Sequence, residues 1–340
     1  MNVRAAYQLR APTDDDLEPV ADVVVADELD DAGQVTLGAD FVRGEWSQAG
    51  FDLATDAWVA VYDATTVGGA VTVERAPAVG GETTVDVTPT VPGGAAVVGY
   101  AQALLEEPAV VFSWGVVHPE HRGRGIGSAL FARVEARAAQ LLAGRPSGRF
   151  RHAINAGDQA AAALLRARGL RPVRHFWHMQ IDFTGPVEPG PAPQGIAISG
   201  VESPDDLPAI HAVINEALAG HWGFEQQPFE RWAEEETGEP GYDPALWLKA
   251  TADGRPVGTL IGTLGDRGWV EWLGVLEPYR GLGIGAGLLR HSFAAFAERG
   301  VRKVIVSVDA HNATGATAVY ERSGMRVVKR WDMWQRSSGA

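Results

Sequence analysis

Two short segments of the chain repeat one arrangement of arginine and glycine. Residues 122–127 read Arg-Gly-Arg-Gly-Ile-Gly, and residues 280–285 read Arg-Gly-Leu-Gly-Ile-Gly. Glycines let a backbone turn tightly with its N–H groups exposed, and at the start of a helix those groups and the helix dipole attract an anion. The repeat therefore predicts two sites for a phosphate or pyrophosphate, with Arg122 and Arg280 at their edges. One copy alone would be explained equally well by a tight strand-to-helix turn, but two copies in matched contexts favour the anion site.

Two other phosphate-binding motifs do not fit these segments. A Walker loop ends in Gly-Lys-Ser/Thr, and neither segment contains a lysine. A dinucleotide-binding fold places Gly-x-Gly-x-x-Gly directly after its first strand, whereas each segment here follows several predicted strands. The phosphate ligand is therefore expected in a different fold from these two.

Composition narrows the classes of function. The 340-residue chain has no cysteine and a formal net charge of −14. Without cysteine there is no disulfide, no thiolate nucleophile and no enzyme thioester, and no metal is expected. The acidic balance argues against a nucleic-acid partner. No segment approaches the roughly 18 apolar residues of a membrane helix, and the N-terminus lacks a signal-peptide core. These features predict a cytoplasmic protein with no membrane partner.

A linker rich in proline and glycine divides the chain into two halves of similar size. Residues 184–195 contain four prolines and three glycines, a composition that excludes the interior of a helix or strand. The linker predicts an N-terminal domain over residues 1–183 and a C-terminal domain over residues 196–340.

The two halves predict the same order of elements. Each has two strands, a glycine segment, an amphipathic helix, a third strand, a short helix ending at glycine, and a last strand. The predicted strands are 97–105, 109–117, 150–154 and 173–181 in the first half, and 256–264, 269–275, 304–308 and 326–334 in the second. The first half also has alternating valine and threonine within residues 67–92, which predicts an added hairpin.

Together with this order of elements, the pattern Val-x-x-x-x-Arg-Gly-x-Gly-x-Gly resembles the GNAT superfamily of acyltransferases, once in each half. The resemblance implies an α/β fold of two tandem GNAT domains, each a mixed, splayed sheet flanked by helices. It also implies that acetyl-CoA, the acyl donor, lies in the splay. Its pyrophosphate would then contact the glycine segment, and its pantetheine would pair with the strand before that segment.

The same resemblance implies a set of cofactor contacts in each half. In the C-terminal half they are Leu273, Gly274, Val275, Arg280, Gly281, Leu282, Gly283, Ile284, Gly285 and Asn312. In the N-terminal half the equivalents are Gly115, Val116, Val117, Arg122, Gly123, Arg124, Gly125, Ile126 and Gly127.

Acetylation of an amine requires two proton transfers. A base takes a proton from the attacking amine, and the leaving thiolate of coenzyme A receives a proton or a hydrogen bond. In GNAT enzymes a polar residue on the strand before the glycine loop and a tyrosine on a later helix often fill these roles, which implies Glu271 and Tyr320 here. Glu271 lies four residues before Val275, so strand alternation predicts that both share one face. Trp269 and Trp272 flank the carboxylate and are expected to desolvate it in part.

The first half lacks both groups. Ser113 and Leu165 stand at the positions of Glu271 and Tyr320. We therefore expect catalysis in the C-terminal half, while the N-terminal half is structural or binds acyl-CoA without turnover. Three alternatives stay open. Glu271 is a solvated strand residue, a β-bulge moves it to the other face of the strand, or Tyr320 is an ordinary core aromatic.

The acceptor site is predicted in the segment that follows the first helix of the C-terminal half. His221, Trp222 and Phe224 lie near several carboxylates, a combination that suits an amine through cation–π and ion-pair contacts. Core packing would explain most of these residues singly. The expected partner is a small-molecule amine, and a monomer is consistent because a tandem pair can imitate a homodimer. The alternatives are a non-enzymatic acyl-CoA-binding or partner-binding protein and a protein-lysine acetyltransferase.

Overall fold

The computed structural model describes residues 7–63, 95–106, 109–238, 241–265, 267–312 and 315–337. The chain forms two compact units. The N-terminal unit comprises residues 1–174 and 331–340, and the C-terminal unit comprises residues 175–330. The hairpin predicted within residues 67–92 lies outside the described residues. Within the described part of the chain, no helix has both the length and the apolar character needed to cross a membrane.

The first half of the sequence forms strands and helices in the predicted order. Its elements are β1 (Tyr7–Arg10), α1 (Leu17–Ala32), α2 (Ala39–Trp46), α3 (Leu53–Asp56), β2 (Ala57–Asp63), β3 (Ala95–Glu106), β4 (Val110–Val117), α4 (Ile126–Leu141), β5 (Arg149–Asn155), α5 (Gln159–Ala167) and β6 (Arg171–Asp182).

The second half repeats this order, except that a 3-10 turn at Pro244–Leu246 stands where the first half has α3. Its elements are β7 (Ile196–Gly200), α6 (Leu207–Leu218), α7 (Phe229–Gly238), β8 (Leu248–Ala252), β9 (Arg255–Leu264), β10 (Gly268–Val275), α8 (Ile284–Glu298), β11 (Lys303–Asp309), α9 (Ala316–Arg322) and β12 (Arg326–Ser337).

The short helices α5 and α9 end as the sequence predicts. The N-cap of α5 is Asp158, whose Oδ1 accepts the N–H of Ala161 at 2.8 Å, and the turn after the helix closes at Gly169 with φ of 81°. The turn after α9 closes at Gly324 with φ of 90°. Glycine is favoured at such a C-terminal position because the left-handed conformation strains residues that carry a Cβ.

The sheet of each unit is mixed. In the N-terminal unit the order is β1-β2-β3-β4-β5, followed by residues 331–337 of β12. In the C-terminal unit the order is β7-β8-β9-β10-β11, followed by residues 176–182 of β6. The β4–β5 and β10–β11 pairs are parallel, and the remaining pairs within each unit are antiparallel.

Each sheet is therefore completed by the last strand of the other half of the sequence. The sequence predicts instead that the last strand closes the sheet of its own half. The alternation of apolar residues in a strand records which face is buried, and it is the same whichever neighbour the strand pairs with. The pattern could not distinguish the two partners, and the compact units consequently differ from the predicted sequence halves at residues 175–183 and 331–340.

Both sheets open between their two parallel strands. The β4–β5 ladder runs from Val110 to Trp114, and the β10–β11 ladder runs from Gly268 to Val270. Beyond these points, within the described chain, β4 no longer pairs with β5 and β10 no longer pairs with β11. The strands β4 and β10 themselves continue to Val117 and Val275. This is the predicted splay, and it ends at the glycine loop in both units.

Helices cover both faces of each sheet, and neighbouring residues of one strand face opposite layers. In β9, Leu260 packs in the cluster that contains Leu288 of α8, while Ile261 packs with Ile214 of α6. In β3, Val98 belongs to the cluster built on α4, while its neighbour Val97 packs against α1. The mixed α/β fold with a helix-flanked sheet is thus confirmed.

Candidate active site

The two glycine loops have the same backbone conformation. Gly123 and Gly125 have φ of 74° and 83°, and Gly281 and Gly283 have φ of 79° and 84°. Gly125 and Gly283 are the N-caps of α4 and α8, where any other residue would be strained. Both loops are exposed up to their helices, so the unpaired N–H groups and positive dipole end of each helix are accessible to an anion.

The arginine that opens each loop folds back over the end of the preceding strand. Nε of Arg280 donates to the backbone oxygen of Val275 at 3.0 Å, and Nε of Arg122 donates to that of Val117 at 3.2 Å. In the C-terminal unit, Nη2 of Arg280 also donates to the backbone oxygen of Ala217 at 3.1 Å. These bonds fix the guanidinium beside the start of the helix.

The end of β10 can pair with an extended ligand. Residues 272–275 pair with β9 but, within the described chain, not with β11, so their backbone groups on the β11 side are not used by the sheet. Leu273 and Val275 pack toward α8. A Cβ on Gly274 would lie 3.0 Å from the Cβ of Ala217, so this glycine allows α6 to lie close to the strand. The predicted pantetheine contact uses this free edge.

Glu271 lies at a β-bulge. The register with β9 shifts between Val270 and Trp272, which leaves Glu271 as the extra residue. Val270 packs in the α8 cluster and Trp272 in the α6 cluster, so the bulge interrupts the alternation from which a shared face with Val275 was expected. The side chain is exposed, whereas the sequence predicts a partly desolvated one. Its Oε1 accepts a hydrogen bond from Oγ1 of Thr263 at 2.8 Å.

Tyr320 is buried on α9. It packs in the same cluster as Ile284, the first residue of α8, and Val275, the last of β10. Its neighbour Val319 would lie 3.7 Å from a Cβ on Gly285, so α9 lies directly beside the glycine loop. Burial raises the pKa of the Tyr320 phenol, which keeps the hydroxyl protonated at neutral pH. A protonated phenol can donate to a leaving thiolate.

Asn312 occupies the turn between β11 and α9. Its N–H donates to the backbone oxygen of Asp309 at 3.0 Å, and its backbone oxygen accepts the N–H of Gly315 at 3.4 Å. Because β10 and β11 are parallel, this turn lies at the same edge of the sheet as the glycine loop. Its contact with the cofactor stays a prediction.

The matching positions of the N-terminal unit hold no such groups. Ser113 is buried, donates to the backbone oxygen of Arg151 at 2.7 Å, and lies 2.7 Å from Nδ1 of His152. Burial lowers the pKa of His152 to about 3, so this imidazole is neutral. Leu165 is buried and caps the turn after α5 as Tyr320 caps the turn after α9, since each accepts a backbone N–H five residues on. These side chains fill the core.

The residues predicted to bind the acceptor follow α6. The Phe224 ring lies edge-to-face on Trp272, with centroids 5.8 Å apart, and Trp222 packs against Phe176 at 6.1 Å. Nδ1 of His221 is buried and has no hydrogen-bond partner among the described residues. Phe224 therefore lies beside the strand that carries Glu271. His221 has a ring nitrogen that a ligand could satisfy.

Thr263 was not singled out from the sequence, whereas Glu236 is one of the carboxylates expected near the acceptor site. Thr263 binds the Glu271 carboxylate, and Glu236 of α7 accepts the indole N–H of Trp272 at 2.9 Å. The hydrogen bond between Trp272 and Glu236 has a counterpart in the N-terminal unit. Trp114, at the position of Trp272, donates its indole N–H to Glu45 of α2 at 2.9 Å. The hydrogen bond between Thr263 and Glu271 could not be expected from the sequence, because it depends on the bulge.

Comparison with known proteins identifies the class. The model of the Acetyltransferase (GNAT) family matches residues 43–169 and again residues 207–325, and the chain belongs to this family. The structure is similar to a GCN5-related N-acetyltransferase from Sphaerobacter thermophilus, with a TM-score of 0.77, 29% identity, and coverage of 97% of this chain and 95% of that one. A tandem GNAT protein from the clavulanic acid biosynthesis pathway shares the fold, with a TM-score of 0.66, 19% identity, and coverage of 98% and 99%.

Curated relatives are similar over about two thirds of the chain. The mycothiol acetyltransferase of Cellulomonas flavigena is 34% identical over 248 residues, which cover 68% of this chain and 69% of that protein. The mycothiol acetyltransferase of Streptomyces coelicolor is 31% identical over 253 residues, 72% of this chain and 77% of that protein. The tandem layout and residues 308–312 of the sequence also indicate a similarity to mycothiol synthase and its actinobacterial relatives, and these matches confirm it. The protein is an acetyltransferase.

Proposed function

We propose that the chain is an acetyl-CoA-dependent N-acetyltransferase that acts on a small amine-bearing molecule, with catalysis in the C-terminal unit. One observation carries this assignment. The C-terminal unit combines an exposed glycine loop, the Glu271 carboxylate at a bulge in the strand before it, and the Tyr320 phenol buried beside it. The N-terminal unit has the loop but Ser113 and Leu165 at the matching positions.

The cofactor would be held mainly by backbone groups. The N–H groups of residues 280–285 would bind the pyrophosphate, helped by the α8 dipole and the Arg280 guanidinium. The pantetheine arm would pair with residues 273–275 on the edge of β10 that β11 leaves free. Bound in this way, acetyl-CoA supplies the thioester, and its acetyl group would lie further back along β10, toward Glu271.

The side chains then divide the chemistry between them. Glu271 takes a proton from the acceptor ammonium, and the neutral nitrogen attacks the carbonyl carbon of the thioester. A C–N bond forms, the C–S bond breaks, and the thiolate receives the proton of the Tyr320 hydroxyl. The nitrogen gives its second proton to the Tyr320 oxygen, which restores the phenol, and Glu271 releases its proton to water. The exposure of Glu271 in the free protein is compatible with this role, because an acceptor bound against it would exclude water.

The acceptor is proposed to be a small amine bound near Trp272 and Phe224. The similarity to mycothiol acetyltransferases supports a small-molecule acceptor. In the mycothiol synthase pattern, however, the strand acid lies two residues earlier, where this chain has Trp269. The carboxylate is therefore placed differently along the strand, which argues against assuming the mycothiol precursor and leaves another amine metabolite equally consistent.

A matched pair of arginine substitutions tests which unit is catalytic. We expect Arg280→Gln to raise the KM for acetyl-CoA by about 10- to 100-fold, because a charge-assisted contact with phosphate contributes about 1.5–3 kcal/mol. Arg122→Gln should leave KM and kcat within about twofold. The measurement is thiol release from acetyl-CoA with a panel of small amines that includes the mycothiol precursor, with circular dichroism as a control for folding.

The other outcomes separate the alternatives. Loss of turnover in Arg122→Gln, with Arg280→Gln unaffected, would place catalysis in the N-terminal unit. Binding of acetyl-CoA without turnover on any amine would support a non-enzymatic acyl-CoA-binding protein. Acetylation of lysine peptides, but of no small amine, would support a protein-lysine acetyltransferase.

A further inference from the structure

The guanidinium groups at the two loops share one contact and differ in the next. Nε of Arg122 and of Arg280 binds the last residue of the preceding strand. In both units Nη2 then reaches the first long helix, at Asp27 of α1 or Ala217 of α6. Each of these residues lies ten positions after the first residue of its helix (27 − 17 and 217 − 207). Asp27 and Ala217 are therefore structural counterparts.

In the C-terminal unit the helix position that contacts Arg280 is Ala217, which carries no charge. Arg280 binds Ala217 through the backbone oxygen of the helix, because the alanine side chain has no acceptor. Among the described residues, no carboxylate lies within ion-pair distance of the Arg280 guanidinium. The residue is exposed, so its positive charge is available to an anion at the loop.

In the N-terminal unit the chain supplies its own anions. Nη2 of Arg122 donates to Oδ1 of Asp27 at 2.5 Å, and Nη1 donates to Oδ2 of Asp30 at 2.6 Å. Both ends of the guanidinium fork are thus engaged by carboxylates of α1. Arg122 and the two aspartates together carry a net charge of −1, whereas Arg280 carries +1.

Asp27 also reaches across the opening between the splayed strands. Its Oδ2 accepts a hydrogen bond from Nδ2 of Asn155 at 3.0 Å. Asn155 is the last residue of β5, and Arg122 belongs to the loop after β4. One carboxylate therefore links the two sides of the splay, at the level where a cofactor would leave it for the loop.

The second arginine of the N-terminal loop does not replace the first. Nη1 of Arg124 donates to the hydroxyl of Tyr7 at 2.8 Å, and its Nη2 donates to the backbone oxygen of Glu120 at 3.1 Å. These bonds tie Arg124 to β1 and to the turn before the loop. Its counterpart in the C-terminal loop is Leu282, which is exposed and uncharged.

We propose that the residue at this helix position determines which glycine loop accepts the pyrophosphate of acyl-CoA. Asp27, with Asp30, closes the N-terminal loop, and Ala217 leaves the C-terminal loop open, so each chain binds one acyl-CoA. The inference rests on the proposed function, because it takes the C-terminal loop as the cofactor site. Its physical basis is that a diphosphate at Arg122 would have to displace two carboxylates or lie beside them, and like charges at such distances repel.

Calorimetric titration with coenzyme A tests the proposal on the full-length chain. Wild-type protein should bind one equivalent. The double variant Asp27→Ala/Asp30→Ala should bind two, with the second site weaker than the first. A wild-type stoichiometry of two, or a double variant that still binds one equivalent, would overturn the inference while leaving the proposed function intact. Absence of binding by the wild type would instead contradict the proposed function itself.

The reciprocal substitution separates charge from size. Ala217→Asp should weaken coenzyme A binding by about 100-fold or more, whereas Ala217→Asn, of nearly the same size but neutral, should weaken it by less than about 10-fold. Equal losses in the two variants would show that bulk at this buried position, and not charge, controls the site. Thermal unfolding checks both variants, and the stoichiometry of the double variant stands independently if neither folds.

Discussion

The N-terminal and C-terminal units carry glycine loops of one backbone conformation and differ in the side chains around them. Gly125 and Gly283 cap their helices with φ values one degree apart, at 83° and 84°. The matched side chains are Ser113 and Glu271, Leu165 and Tyr320, and Asp27 and Ala217. The loop conformation is fixed by glycine and by the helix that follows. The chemistry depends on a few side chains, which can change without altering that backbone.

The difference between the two units is tested most strongly on the strand before each loop, at Glu271 and Ser113. Glu271→Gln keeps the size and the hydrogen bond from Thr263 but removes the basic carboxylate, so we expect kcat to fall by about 10³-fold. Ser113→Ala, the matched change in the N-terminal unit, should leave kcat unchanged. Steady-state rates at saturating amine and acetyl-CoA measure both. A Glu271→Gln enzyme with near-normal kcat would remove the carboxylate from the mechanism.

A substitution at Leu165, the counterpart of Tyr320, should lower the stability of the protein and leave its rate unchanged. Leu165→Ala removes a buried side chain from the N-terminal core and should lower the free energy of unfolding by about 2–5 kcal/mol. Urea unfolding followed by circular dichroism measures the loss. The rate per folded molecule should not change, and a fall in kcat at temperatures where the variant is fully folded would mean that the N-terminal unit takes part in turnover.

Tyr320→Phe tests whether Tyr320 is a proton donor, in contrast to Leu165. The ring and its packing remain, while the proton donor is lost, so kcat should fall by about 10²-fold with the Kd for acetyl-CoA within about twofold. Single-turnover rates and calorimetry separate the two quantities. If binding and rate fall together, the tyrosine is a packing residue like Leu165.

The smallest effect is expected at Thr263. Thr263→Val removes the hydroxyl that donates to Oε1 of Glu271 and should lower kcat about fivefold, the equivalent of one hydrogen bond of about 1 kcal/mol. Thr263→Ser retains the donor and should restore the rate. Val and Ser variants that are equally slow would indicate that the threonine methyl, and not the hydrogen bond, supports the bulge.

The sequence predicts the features that depend on local pattern. The repeat locates both loops, the linker separates the two sequence halves, and Gly169 and Gly324 mark the ends of two short helices. Three features escape it because each depends on the partner of a residue and not on its type. Strand alternation does not reveal the exchange of β6 and β12. It also could not decide between a face shared with Val275 and a bulge at Glu271, which stayed open as an alternative. Nothing in the spacing of Asp27 and Arg122, far apart in the chain, predicts their ion pair.

The exchange of β6 and β12 also determines when the N-terminal unit can complete its sheet during translation. The sheet of the N-terminal unit is completed by residues 331–337, which are synthesised after the whole C-terminal unit. Until then β5 has an unpaired edge, and unpaired edges invite aggregation. The N-terminal unit therefore cannot finish folding during translation of its own half, and a fragment cut at the linker would lack the strand that pairs with β5. Neither half of the sequence contains every strand of its own unit's sheet.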